Sequence, residues 1–211
     1  MFQDELDKIL TAAPVVPVVI IGDAHDAVPL ARALVAGGLS AIEVTLRTSA
    51  GLEAIARIAA EVEGAVPGVG TVVTAKQASD AAKAGARFAI SPGTTPKLLD
   101  ALEQSGMAPL PGVATASEAM ALIERSYRYA KFFPAEQSGG AAFLKAIASP
   151  LPQLTFCPTG GINPENAWTY LSLSNVICVG GSWMVKPDLI KAKNWTAIEK
   201  LARQACILKG I

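Results

Sequence analysis

Eight short apolar runs, each followed by an alanine-rich helical stretch, predict an α/β fold and, within that class, a (β/α)8 TIM barrel. Three observations carry this expectation. The runs are apolar along nearly their whole length, as strands of a parallel sheet covered on both faces are. Strand and helix signals alternate along the chain with no linker or low-complexity segment between them. Glycine pairs come late, at Gly160-Gly161 and Gly180-Gly181, whereas an open doubly wound sheet usually carries its phosphate loop after the first strand. Here that strand ends Ile20-Ile21-Gly22-Asp23-Ala24, which is no such loop.

The elements follow in order. An initial helix over residues 3–12 is expected to pack across one barrel end. Strands are expected at 15–21, 41–46, 65–70, 87–91, 108–111, 129–133, 153–157 and 176–179, where β-branched or other apolar residues cluster. Helices are expected at 24–36, 50–61, 75–84, 96–105, 116–124, 140–148 and 164–171, and one longer helix over 187–208 closes the chain. The run Val66-Pro67-Gly68 places a proline where a strand should begin, and proline fits there only at a strand start or irregularity. A length of 211 residues suits one domain, 1–211, with a large core, and is short for this fold, so the loops should be tight.

Composition excludes several functions. With 51% hydrophobic and 17% charged residues the chain is not disordered. Eighteen basic residues balance eighteen acidic ones without a basic stripe, which gives nucleic acid no electrostatic footing. No apolar run approaches the roughly 20 residues of a membrane span. The start, Met1-Phe2-Gln3-Asp4-Glu5-Leu6, lacks the basic-then-apolar pattern of a signal peptide, so a cytoplasmic protein is expected. Cys157, Cys178 and Cys206 are far apart and odd in number, and read as reduced thiols. Zinc has no close cysteine pair to bind, and the single histidine, His25, reads as a surface or capping residue.

The chemistry starts at Lys131, in the aromatic run Arg128-Tyr129-Ala130-Lys131-Phe132-Phe133-Pro134. Lysine is rarely buried unpaired, because removal from water disfavours the ammonium. A neutral amine among apolar neighbours is the nucleophile that forms a Schiff base with a ketone. The competing reading is a stem laid along apolar surface with its ammonium in water, but the other ten lysines fall in surface helices and loops. Phe133, two residues on, shares the lysine's face and can wall a pocket. On the second strand Glu43, Thr45 and Arg47 share a face, opposite Ile42, Val44 and Leu46. Glu43 is the carboxylate embedded in a strand-like run, suited to moving protons. Arg47 offers a fork for a substrate carboxylate. A Glu43–Arg47 ion pair would have to span roughly 13 Å of backbone, which strains even long side chains.

Further along, Gly70-Thr71 and Ser91-Pro92-Gly93 end the third and fourth strands, where a ligand could approach. The seventh and eighth end in Pro158-Thr159-Gly160-Gly161 and Gly180-Gly181-Ser182. Loops at those two positions frequently bind phosphate through backbone N–H groups. A buried lysine, a buried glutamate, an arginine and a phosphate cup together indicate a phosphorylated keto acid and Schiff-base carbon–carbon chemistry.

These residues carry a resemblance. Ala36-Gly37-Gly38, Ile42-Glu43-Val44-Thr45-Leu46-Arg47-Thr48, Gly70-Thr71-Val72, Phe88-Ala89-Ile90-Ser91-Pro92-Gly93, Pro109-Leu110-Pro111-Gly112-Val113, Lys131-Phe132-Phe133-Pro134-Ala135-Glu136, Phe156-Cys157-Pro158-Thr159-Gly160-Gly161 and Gly180-Gly181-Ser182-Trp183 occur in this order along nearly the whole chain. The chain resembles the class I aldolases that cleave 2-keto-3-deoxy-6-phosphogluconate (KDPG) in the Entner–Doudoroff pathway and are also associated with 4-hydroxy-2-oxoglutarate (KHG) cleavage. The resemblance implies a homotrimeric barrel without metal or organic cofactor. It implies Lys131 as the Schiff-base lysine and Glu43 as acid and base, Arg47 and Thr71 on the pyruvate carboxylate, and Pro92 and Phe133 lining that end. Gly160, Gly161 and Ser182, beside Gly181, would hold the phosphate, and Thr159 would contact the substrate hydroxyls. A related family acts on the galactonate epimer (KDPGal) and tends to lack the threonine of Pro-Thr-Gly-Gly, so Thr159 favours the gluconate compound. An isomerase or a non-enzymatic sugar-phosphate sensor on the same fold would share the phosphate cup but have no need of Lys131.

Overall fold

The computed structural model describes residues 2–208. Parallel strands alternate with helices from one end to the other. The chain runs through α1 (Phe2–Thr11), β1 (Val15–Val19), a 3-10 turn (Ala24–Asp26), α2 (Ala27–Ala36), β2 (Ala41–Thr45), α3 (Gly51–Glu61), β3 (Val66–Gly70), α4 (Ala75–Lys83) and β4 (Phe88–Ile90). It continues through α5 (Pro96–Gln104), β5 (Ala108–Leu110), β6 (Gly112–Val113), α6 (Ala116–Glu124), β7 (Tyr129–Phe132), a second 3-10 turn (Glu136–Ser138) and α7 (Gly140–Ile147). Last come β8 (Thr155–Pro158), α8 (Ala167–Leu171), β9 (Val179–Gly181), α9 (Pro187–Lys191) and α10 (Trp195–Cys206).

One sheet has the order β5-β4-β3-β2-β1-β9 and a second the order β6-β7-β8, all in parallel register. Isolated bridges Phe156–Val176 and Thr159–Gly180 join β8 to the segment entering β9 and to β9 itself. The result is an α/β fold of curled parallel strands.

Neighbouring residues on a strand serve different cores, because strand side chains alternate. Ile42, Val44, Ala89, Ala130, Phe156 and Val179 belong to a large cluster shared with the helices. Val16, Phe88, Ile90, Tyr129, Cys157 and Cys178 turn the other way into a smaller cluster with Leu6, Ile9 and Leu10 of α1. Polar bonds hold α1 in place. Glu5 accepts from Arg87 at 2.6 Å and Asp4 from Arg128 at 2.7 Å, the Gln3 amide oxygen accepts from the Arg128 N–H at 2.8 Å, and the Tyr129 hydroxyl donates to Asp7. These partners stand at the starts of β4 and β7, so α1 covers the N-terminal ends of strands and leaves the C-terminal ends to the loops.

Three of those loops enter their helices in the same way. Thr74, Thr95 and Thr115 accept from the N–H three residues on, and Gln77 and Glu118 return the bond in capping boxes. Each cap contributes about 1 kcal/mol and sets where its helix starts.

The structure departs from the sequence reading in physical ways. The closing helix is two helices, because Lys193 takes φ 51° and Asn194 then caps α10 by accepting from Ala197. The fifth strand is cut at Pro111 into β5 and β6, since proline has no N–H to donate. The helix expected from residue 164 starts at Ala167, because the Asn163 side chain first captures the N–H groups of Glu165 and Asn166. The last strand falls at Val179–Gly181, not 176–179, and Pro67 is the second residue of β3, near the strand start that suits it. Cys157 and Cys178 are buried and Cys206 is half-buried, and none of the three is in a disulfide. His25 is exposed beside Asp23, which caps the first 3-10 turn. Among the described residues no helix is long and apolar enough to cross a membrane.

Truncating Leu10, which is fully buried, tests the role of α1. Leu10→Ala is expected to cost about 2–5 kcal/mol, read as a lower midpoint of urea unfolding at unchanged slope. A loss under about 1 kcal/mol would show that α1 lies outside the cooperative core.

Candidate active site

Glu43 on β2 and Lys131 on β7 meet although their strands are not paired and belong to different sheets. Nζ donates to Oε1 at 3.2 Å, and the residues are only 5% (lysine) and 2% (glutamate) exposed. A buried ion pair is a poor source of stability, because each charge loses hydration worth several kcal/mol. What such a pair makes available is a proton that can pass between two groups without changing their net charge.

The sequence makes room for this contact. A Cβ on Gly70 would stand 2.2 Å from Glu43 Oε1, so only glycine at the end of β3 lets the carboxylate lie where it does. Two residues beyond Glu43, the Thr45 hydroxyl donates to the Val19 carbonyl at 3.1 Å and locks β2 to β1. The Phe133 ring lies 5.1 Å from Lys131 Nζ, within cation–π range, and walls the amine on one side.

A cavity of about 260 Å³ opens at the strand ends. Arg47 and Phe133 line it, as do Thr159, Gly160 and Gly161 from the loop after β8, and Gly181 and Ser182 at the end of β9. Arg47 has no hydrogen bond or ion pair with any described residue, so its guanidinium is free for a ligand anion. Gly160 and Gly161 take φ 107° and 78°, a turn that side chains with a Cβ adopt only under strain. Their carbonyls point back into the protein: Gly160 accepts from the Glu136 N–H at 3.2 Å and Gly161 from Asn166 Nδ2 at 3.0 Å. Among the described residues the N–H groups of Gly161 and Ile162 donate to no protein acceptor. The two free amides and the free guanidinium give the cavity two separate kinds of group that suit anions.

Thr71 and Pro92 do not line the cavity, but each adjoins the pair beneath it. Thr71 follows Gly70 and holds φ 62°, the left-handed region that a β-branched residue enters at a cost on the order of 1–3 kcal/mol. The Pro92 carbonyl oxygen lies 2.6 Å from where a Cβ on Gly112 would be, and Gly112 is the register partner of Lys131. Val18 and Ile162 also line the cavity and escaped the sequence reading, because an apolar residue in an apolar run carries no chemical signal. Among the described residues, no three His, Cys, Asp or Glu side chains gather where they could hold a metal ion.

Known proteins resemble this chain along nearly its whole length. The sequence profile of the aldolase family described as KDPG and KHG aldolase matches residues 6–201. A 2-dehydro-3-deoxy-phosphogluconate aldolase of Pseudoalteromonas atlantica is 52% identical over 93% of this chain and 92% of its own. The KHG/KDPG aldolase of Escherichia coli is 48% identical over 97% and 96%. The crystal structure of KDPG aldolase from Legionella pneumophila, with pyruvate captured at low pH as a covalent carbinolamine intermediate, superposes with a TM-score of 0.92 at 46% identity, covering 95% of this chain and 97% of that one. With a matching profile over most of its length and such relatives on either side, this chain belongs to the KDPG and KHG aldolase family.

Proposed function

We propose that this chain is a class I aldolase that cleaves KDPG to pyruvate and glyceraldehyde 3-phosphate through a Schiff base on Lys131, with KHG as a further substrate. The observation that carries the reading is the buried Lys131–Glu43 contact beside a cavity that holds an unpaired arginine and free backbone amides.

Proton transfer from Lys131 to Glu43 exposes the amine lone pair, which attacks the C2 ketone. Glu43 returns the proton to the carbinolamine hydroxyl, water leaves, and the iminium forms. As the C3–C4 bond breaks, its electrons flow into the iminium to give the enamine, while Glu43, directly or through a water, takes the C4 hydroxyl proton. The aldehyde departs, Glu43 gives that proton to C3 of the enamine, and water adds to the resulting iminium to release pyruvate and the Lys131 amine. Arg47 and Thr71 hold the carboxylate so that C2 faces the amine, and such positioning is worth several kcal/mol of barrier. Pro92 and Phe133 wall that end. Gly160, Gly161, Gly181 and Ser182 hold the phosphate. Thr159, 7% exposed in the cavity wall, contacts the sugar hydroxyls and favours the gluconate compound over its galactonate epimer.

We also propose that the whole chain, 1–211, is one domain whose strands close into a (β/α)8 TIM barrel with α1 across the N-terminal end. Met1 and residues 209–211 lie outside the described residues. The separation of β5 from β6 by the single residue Pro111 and the bridges from β8 and its following residue toward β9 support closure. The homotrimer rests on the family resemblance. Three cysteines outside any disulfide accord with a cytoplasmic location.

Incubation with pyruvate and borohydride should leave a reduced pyruvyl adduct on the peptide containing Lys131, detected by mass spectrometry, and none on Lys131→Ala. No adduct on the folded wild type would remove the aldolase mechanism. Glu43→Gln keeps a side chain beside the amine but cannot take its proton, so kcat should fall about 10²–10⁴-fold while pyruvate still binds. Full activity would clear Glu43 of its role. Gly70→Ala should displace the carboxylate and lower kcat about 100-fold with an unchanged circular dichroism spectrum. Wild-type turnover in that variant would mean Glu43 tolerates the shift.

A further inference from the structure

Beside the glycine loop stand residues that do not line the cavity, the exposed Glu136 and the buried Tyr170 among them. Tyr170 of α8 is 1% exposed, and its hydroxyl donates to Glu136 Oε1. Burial, and secondarily the Glu136 carboxylate, raise the Tyr170 hydroxyl well above its ordinary range, so it stays protonated and remains a donor. The Glu136 stem is pressed against Gly161: a Cβ on that glycine would stand 2.5 Å from Glu136 Cγ. The Glu136 N–H holds the Gly160 carbonyl, and the Asn166 side chain holds that of Gly161 while accepting from the Asn163 N–H. Asn166 and Tyr170 stand four residues apart at the start and within α8, so a single short helix supports both glycines.

The placement of Glu136 is the puzzling part. Its carboxylate belongs to a residue packed directly on a loop whose free N–H groups suit an anion. A carboxylate swinging freely there would repel phosphate or compete for the same amides. In the structure Tyr170 holds it on the far side, next to Gly140: a Cβ on that glycine would stand 3.3 Å from the Tyr170 hydroxyl oxygen and 3.7 Å from Glu136 Oε1.

We propose that Tyr170 is a positioning residue for phosphate recognition, holding Glu136 so that its stem braces Gly161 and its charge stays out of the anion site. This rests on the assignment of the Gly160–Gly161 loop to the substrate phosphate. It predicts a selective effect, because only ligands that bring a phosphate need that loop.

The test compares wild type, Tyr170→Phe, Glu136→Gln and the double variant, using inorganic phosphate as the probe in calorimetric titration and as a competitive inhibitor. Tyr170→Phe should weaken phosphate binding about tenfold and raise KM for KDPG by a similar factor. KM for KHG, which has no phosphate, and the yield of pyruvyl adduct should not change. Glu136→Gln keeps the stem and an acceptor for Tyr170 and loses the charge, so it should bind phosphate at least as well as wild type. In the double variant it should recover part of the affinity lost in Tyr170→Phe. An equal rise in KM for both substrates would reduce Tyr170 to a structural residue and overturn the inference. So would a tenfold loss in Glu136→Gln, strictly additive losses, or a wild type that does not bind phosphate. A wild type that binds phosphate but forms no adduct and turns over neither substrate would instead overturn the aldolase reading, and the phosphate titrations would still decide the role of Tyr170.

Discussion

The Glu43–Lys131 contact is the constraint around which the rest is arranged. Two opposite charges held 3.2 Å apart and out of water are tolerated only while both are present; removing one leaves a bare buried charge, at a cost of about 3–5 kcal/mol. The pair therefore needs two strands from different sheets at fixed separation, a glycine at position 70 that leaves space for the carboxylate, and an aromatic wall at Phe133. Each requirement is met by an element that is rigid for another reason. β2 is buried along its whole length, β7 likewise, and the Thr45 bond to Val19 fixes β2 against its neighbour just above Glu43.

The same strands sort their side chains into layers. One set of alternate residues binds the helices, and the other meets α1 at the N-terminal ends of the strands. Only toward the C-terminal ends does the inward set turn polar, with Glu43, Thr45, Ser91, Lys131 and Thr159 all buried. Apolar closure at one end and chemistry at the other is a division of labour within each strand. It explains how a chain with only 17% charged residues can concentrate its reactive groups.

Much of this was legible in the sequence, for stated reasons. Lys131 stood out because a lysine inside an aromatic run contradicts its own hydration, and Glu43 for the same reason in a β-branched run. The glycine pairs were legible as loops because two of them fall at matching strand ends. What was hidden depends on long-range geometry. That Glu43 faces Lys131 follows from the curl of two sheets, which no local pattern encodes. The strained φ of Thr71 and the helix break at Lys193 occur at residues whose intrinsic preferences argue against them, so tertiary packing decided both. Glu136 and Tyr170 are 34 residues apart and individually ordinary; only their meeting behind Gly161 gives them meaning.

The charges around the cavity have an internal logic. The buried pair is neutral as a unit whichever group holds the proton, so it neither attracts nor repels an anionic ligand strongly. Arg47, free of any carboxylate, supplies the one full positive charge in the lining, and the loop amides of Gly161 and Ile162 supply partial ones. A ligand with a carboxylate at one end and a phosphate at the other satisfies both, and being held at two points fixes the carbon between them. In the proposed binding mode the ketone of KDPG lies next to the carboxylate end and hence toward Lys131, while the bond to be broken lies one carbon further along, on the side of Thr159. On the proposed assignment, selectivity for the phosphorylated substrate comes from the loop and reactivity from the buried pair.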